Sequence, residues 1–275
     1  MSAPGSWRVR AGLALVAALT LAALGADWLA PADPTRQELT ATLTPPGPGE
    51  WMGRDMLGRD ILSRVLYGTR VSLTVGLVTA TVSLILGTVV GALAGWIGGW
   101  IDDLAMRIVD VLLAFPGLLL AIALTAILGP SLRHVVLALC LIGWTGYARL
   151  ARGEVLRLRE RPFVEAARAL GASGGRVFRR HLLPLIAAPL LVQATFGMAA
   201  AIVAEASLSF LGLGVQPPTP SWGAMLNEGR AFVLVAPHLT VFPGLAIMLT
   251  VLALNFLGEG LRDRLDVRAP TDLWR

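Results

Sequence analysis

Long apolar runs broken by short polar stretches set the pattern of this chain. Six runs approach the roughly 20 mostly apolar residues that a bilayer-spanning helix needs. They cover residues 11–29, 71–96, 104–128, 134–150, 185–210 and 232–257. Turn-forming stretches separate them: "PADP", "GWIGGWIDD", "LGPS" and "GLGVQPPTPSWG". Lipid offers no partners to backbone N–H and C=O groups, so helices are the expected solution. The pattern predicts an all-α membrane protein with six transmembrane helices. The first run has the flanks of a secretory signal, with Arg8 and Arg10 before it and "AALGAD" at its end. Its apolar core is long for a signal and continues to Leu29 with only Asp27 interrupting, which fits an uncleaved first span better.

Composition agrees with the pattern. The 275 residues are 55% hydrophobic and only 15% charged, with a mean hydropathy of +0.70, whereas soluble domains are about 45–50% apolar and about 25% charged. All 23 basic residues are arginine. Without lysine there is no P-loop to hold nucleotide phosphates and no Schiff-base amine. The single cysteine, Cys140, has no partner for an internal disulfide. The histidines (His134, His181, His238) are scattered and lack metal-ligand spacing. No metal, no cofactor and no catalytic residue is expected in this chain, which is read as not being an enzyme, and no nucleic-acid partner is expected.

Arginine placement predicts the orientation. With the N-terminus in the cytoplasm, sixteen arginines fall inside and seven outside, so both termini are expected to be cytoplasmic. The chain then divides into residues 1–30 (a short tail and the first span), an external loop 31–70, a five-span core 71–258 containing a cytoplasmic loop 152–184, and a cytoplasmic tail 259–275. The external loop carries five arginines, balanced by Asp33, Glu38, Glu50, Asp55 and Asp60.

Several positions within the spans stand out. Gly87, Gly91 and Gly95 share one face of the second span, where another helix can approach closely. Glu205 interrupts the fifth span, and an intramembrane charge is a functional candidate. It lies 20 residues after Leu185, about 30 Å along a helix, which predicts a solvated or partner-paired place at the external interface; a gate or pathway role is the other reading. Asp110 is expected between helices, paired with Arg107 one turn earlier. The stretch 214–223 is proline-rich and expected to be irregular.

The loop between the fourth and fifth spans is polar. "EAARALGASGGRVFRRHLLP" runs from Glu165 to Pro184 within a region holding nine arginines. A short helix is predicted from Pro162 to Leu170, with proline at its first position and strong helix formers after it. Gly171 is expected to end it at positive φ. An ordinary positive-inside loop would explain the arginines, but not Glu165, Ala166 and Ala167, a glycine at 171 and a terminal Leu183–Pro184.

That spacing resembles the EAA loop of ABC importer permeases. His181 stands where the general pattern has isoleucine, as in the "RHxLP" of the peptide-importer branch. "GRDMLGRDILSRVLYGTRVSL", "MRIVDVLLAFPGLLLAI", "ASLSFLGLGVQPPTPSWGAML" and "FPGLAIMLTVLALNFLGEGLRDRLD" resemble further segments of the same permeases. Arg54 stands where that pattern has threonine, and no special role is carried over to it. The resemblance covers about residues 30–266 and is nearest to the C-type permease of dipeptide, oligopeptide and nickel importers. It implies a type I importer core in a bacterial inner membrane, forming half of a translocation pathway. It also implies a homologous B-type permease, two ATPase subunits that bind ATP and Mg, and an extracytoplasmic substrate-binding protein. Glu165, Ala166, Ala167, Gly171, Leu183 and Pro184 would couple to the ATPase; Gln216, Pro217, Pro218 and Trp222 would meet the binding protein or the pore mouth. The alternatives are a secondary transporter, which would need ionisable groups at the membrane midplane, and a membrane-embedded hydrolase, which would need a Ser or His pair at membrane depth.

Overall fold

The computed structural model describes residues 6–265. The N-terminal tail up to residue 5, and the C-terminal tail from Asp266 onward, lie outside the described residues. Eleven helices follow one another, with no strand among the described residues. They are α1 (Ser6–Leu24), α2 (Ala26–Leu29), α3 (Ile61–Ile97), α4 (Gly99–Leu113), α5 (Gly117–Leu128), α6 (Leu132–Arg159), α7 (Pro162–Ala169), α8 (Gly174–Val177), α9 (Leu183–Phe210), α10 (Trp222–Gly229) and α11 (His238–Leu265). Five segments are single helices long and apolar enough to cross a membrane: α1, α3, α6, α8 continued through α9, and α11.

The third expected span, 104–128, is not one helix. It is α4 and α5, which meet at 81°. The cause is Pro116. Proline disfavours the helical region for the residue before it and cannot donate to the preceding turn. At about 1.5 Å per residue, the 12 residues of α5 reach only about 18 Å, so neither arm crosses a ~30 Å hydrocarbon core by itself.

Other boundaries move outward. The expected second span began at residue 71, but α3 starts at Ile61, so the expected external loop is a loop only to residue 60. Asp60 sets this start by capping the helix, its carboxylate accepting from the Ser63 N–H at 2.7 Å. Similarly, α6 continues nine residues beyond the expected end of its span, so the polar segment 152–184 begins inside a helix.

Helix α3 is inverted relative to a soluble amphipathic helix. It buries Ser72, Gly76, Thr79, Ser83, Gly87, Gly91 and Gly95 and exposes Leu77, Ile85, Val89 and Leu93. Lipid tails are as apolar as leucine, so helices associate through small residues that let backbones close, and large apolar side chains face outward. The glycine ladder packs on α6, as its spacing predicts. A β-carbon on Gly87 would lie 2.4 Å from the carbonyl oxygen of Trp144; one on Gly91 would lie 2.0 Å from that of Ala148; and one on Gly95 would lie 3.0 Å from that of Arg152.

Candidate functional site

The segment after α6 folds as a compact helical hairpin at one end of the bundle. Proline opens α7. The helix closes on Gly171: its N–H donates to the Arg168 carbonyl at 2.9 Å, and the Ala172 N–H donates to the Ala167 carbonyl at 3.0 Å. This paired closure requires a left-handed residue, and Gly171 supplies φ +83°. A β-carbon there would meet nothing within 4 Å, so backbone conformation alone demands the glycine within this chain.

The hairpin has two faces. Val164, Val177 and Leu182 are fully buried in a cluster with Val155, Leu158 and Ile186, which anchors the segment to α6 and α9. The Arg168 guanidinium lies 5.4 Å from the Trp96 ring centre at the end of α3. Glu165, Ala166 and Gly171 are exposed, and Ala167 is half-buried. Leu170 is 90% exposed. Leu183 and Pro184 form the exposed first turn of α9. The expected motif residues therefore come together on one small, rigid element, with an uncovered leucine beside its alanines.

At the opposite end of the bundle lies a feature the sequence reading missed. Asp55, Arg59, Arg64 and Glu228 form a four-membered ion cluster. Arg59 Nε donates to Asp55 at 2.7 Å, Arg59 Nη2 to Glu228 at 2.8 Å, Arg64 Nη1 to Glu228 at 2.7 Å, and Arg64 also donates to Asp55. Asp55, Arg59 and Arg64 are buried. The cluster ties the 31–60 segment to α3 and to α10, with two charges of each sign. Just outside it, Arg54 donates to Glu50 at 2.8 Å and Glu38 at 2.5 Å; Glu50 above all pushes its guanidinium pKa above the ordinary value. Arg54 thus holds a turn in which a β-carbon on Gly58 (φ +70°) would lie 1.9 Å from the Glu38 carbonyl oxygen. The charged, glycine-bearing "GRDMLGRD" was the available signal, but not the identity of the partners.

Three expectations are corrected here. Trp222 is fully buried, with its indole N–H donating to the Val65 carbonyl at 3.0 Å. It therefore fastens α10 to α3 and is no surface contact; Gln216, Pro217 and Pro218 remain exposed. Glu205 is not solvated: it is fully buried within the chain, because residues 211–223 fold back over the end of α9. A β-carbon on Gly223 would lie 2.3 Å from the Ala206 carbonyl oxygen, and Ser209 Oγ donates to Glu205 at 2.7 Å. Asp110 pairs with Arg149 of α6 at 2.5 Å, not with Arg107, since α4 crosses α6 at this point. Arg152 grips Asp102 through two bonds of 2.5 and 2.6 Å.

The chain has clear relatives. Residues 87–269 match the family described as binding-protein-dependent transport system inner membrane component. The glutathione transport system permease protein GsiD of Escherichia coli O1:K1 / APEC is 48% identical over 249 residues, covering 90% of this chain and 82% of that protein. Its counterpart from Shigella flexneri serotype 5b (strain 8401) is 51% identical over the same length and coverage. Among solved structures, inward-facing conformations of the MetNI methionine ABC transporter superpose with a TM-score of 0.59 at 19% identity, covering 74% of this chain and 97% of that one; this likeness shows the fold. With five to six apolar helices arranged as in an importer permease, this chain belongs to the binding-protein-dependent transport inner membrane component family, the multi-pass permease subunits of ABC importers.

Proposed function

We propose that this permease forms half of a translocation pathway for short peptides, paired with a homologous permease, driven by two ATPase subunits and supplied by an extracytoplasmic binding protein. The peptide class rests on the 48% identical relatives, whose names specify glutathione, itself a tripeptide; those names lend no support to nickel. ATP and Mg would be held by the ATPase subunits. The secondary-transporter reading is not favoured, because the relatives belong to ABC importers.

The observation that carries the coupling role is the two-faced hairpin. Val164 fixes α7 to the bundle while Glu165, Ala166 and Leu170 stand uncovered. An exposed leucine beside small alanines suits insertion into a groove on another protein, in the manner of a helix docked by its apolar face. Closure of the ATPase dimer would then draw this helix, and with it α6 and α9, toward the partner permease.

Replacement of Gly171 by valine tests the reading. The left-handed conformation costs a branched residue about 1–2 kcal/mol, and its β-carbon meets nothing in this chain, so the bundle should insert normally. ATPase co-purification and peptide uptake at matched membrane abundance should both fall at least severalfold. Arg157→Gln, which removes only an exposed pair with Glu154, should leave both within about twofold. Full recovery and full uptake with Gly171→Val would remove the hairpin from the coupling path.

Orientation has its own test. On the arginine excess, α7 is expected in the cytoplasm and Gln216 outside. In a Cys140→Ser background, Gln216→Cys should react with an impermeant thiol reagent in intact cells, and Arg157→Cys only after lysis. The reverse pattern would invert the topology.

A further inference from the structure

A cavity of about 280 Å³ opens between α3, α5, α6 and α9. Gln193 and Gly197 on its wall are 10 and 14 residues into the 28-residue α9, or about 15 and 21 Å along a helix of about 42 Å. The cavity therefore sits near mid-membrane depth. Leu118 and Ala200 on its wall are exposed.

The polar groups on its wall are not used by the fold. Thr79 and Ser83 are buried; Ser83 Oγ has no hydrogen-bond partner, and Thr79 Oγ1 has none beyond the weakly bonding Cys140 thiol beside it. Hydroxyls in apolar helices ordinarily bond back to the preceding turn. Thr125 does so to Ala121 at 2.8 Å, and Thr250 to Ala246 at 2.7 Å. Thr79 and Ser83 do not, and both line the cavity. The Tyr147 hydroxyl makes only a long 3.4 Å contact with the Gln193 carbonyl. A buried hydroxyl without a partner costs about 1–3 kcal/mol, so a cluster of them facing one space points to something that enters that space.

Two glycines keep the space open. A β-carbon on Gly143 would lie 2.5 Å from Ser83 Oγ, and one on Gly197 would lie 2.1 Å from Tyr147 Oη. The ladder glycines of α3 are closed upon by backbone; these two instead face the side-chain oxygens that line the cavity.

From this geometry we infer that the cavity is a subsite on the translocation path that takes an uncharged amide unit of the substrate, a peptide bond with one small side chain. Hydroxyls and a carboxamide can each donate and accept, which matches the N–H and C=O of a peptide. No carboxylate, arginine or histidine lines the cavity, so a charged terminus entering it would lose hydration with no counter-charge. At about 280 Å³ it falls just short of the ~300–1,000 Å³ of sites that enclose a whole small ligand; it holds one residue while the rest of the peptide stays in the wider path. The inference rests on the peptide-importer reading.

The test uses the assembled transporter with its binding protein, in a Cys140→Ser background. Ser83→Cys should react with a small water-soluble methanethiosulfonate. S-Methylglutathione, alanyl-alanine or tri-alanine, none of which carries a free thiol, should slow that reaction at least threefold, whichever of them the transporter takes up. Separately, Thr79→Val with Ser83→Ala removes both hydroxyls at nearly constant volume. It should raise the KM for uptake about tenfold, as expected for two neutral hydrogen bonds, with ATPase recovery unchanged. An unreactive thiol, a thiol that no transported peptide protects, or an unchanged KM would overturn the subsite. Loss of ATPase co-purification in the parent protein, or uptake of none of the three peptides, would instead strike at the importer reading itself.

Discussion

Replacing Gly91 with valine is expected to remove most of the protein from the membrane. At this position α3 and α6 touch backbone to backbone: the added β-carbon would fall 2.0 Å from the Ala148 carbonyl oxygen and 2.7 Å from its carbonyl carbon and Cα. Neither helix has a flexible side chain there that could yield. The two helices must move apart, and the adjoining contacts at Gly87 and Gly95 open with them. Overpacking a closed interface costs about 1–3 kcal/mol, and more when only backbone can shift. In lipid no hydrophobic gain offsets the separation, because the tails solvate the freed surfaces as well as the partner helix did. The midpoint of thermal unfolding in detergent should fall by at least 10 °C, and steady-state abundance severalfold. Gly244→Ala is the control: a β-carbon there meets nothing within 4 Å, and both measurements should stay near the parent. Normal abundance and stability for Gly91→Val would mean that the α3–α6 seam is not the centre of the fold.

Arg64→Leu is expected to be nearly as damaging, for an electrostatic reason. Arg64 and Arg59 each bond both Asp55 and Glu228, and their two positive charges balance two carboxylates, Asp55 buried and Glu228 mostly so. Removing one arginine leaves an uncompensated buried negative charge, which costs about 3–5 kcal/mol. The segment 31–60 should then loosen from α10, visible as faster proteolysis within that segment and a lowered unfolding midpoint. Arg64→Lys should recover part of the loss: a single nitrogen, Arg64 Nη1, makes both bonds, and an ammonium keeps the charge but on a shorter side chain. Arg54→Gln offers the contrast. Arg54 is more exposed and its two carboxylates remain partly hydrated, so the cost should stay near or below about 1 kcal/mol. Equal effects at 54 and 64 would contradict the burial-based account.

The sequence by itself determined the parts of this protein that depend on neighbours along the chain. Apolar runs of bilayer length required helices. Proline at 162 and glycine at 171 delimited α7 as expected. The four-residue spacing of Gly87, Gly91 and Gly95 announced a close helix contact, and the missing lysine excluded a P-loop. The break at Pro116 was equally local and readable, but 104–128 was read as one span. Tertiary structure decided the pairings. Arg64 and Glu228 are 164 residues apart, and nothing in either neighbourhood names the other. Glu205 came within five residues of its helix end, where distance along the helix predicts solvent, yet the returning 211–223 segment covers it. Asp110 found Arg149 across a helix crossing that no periodicity encodes. Thr79 and Ser83 look like ordinary small residues until α6 and α9 close around them. Helix formation and capping are fixed by hydrogen bonds a few residues long, so they are written locally; burial and charge pairing depend on which surfaces meet, and only the packed bundle settles that.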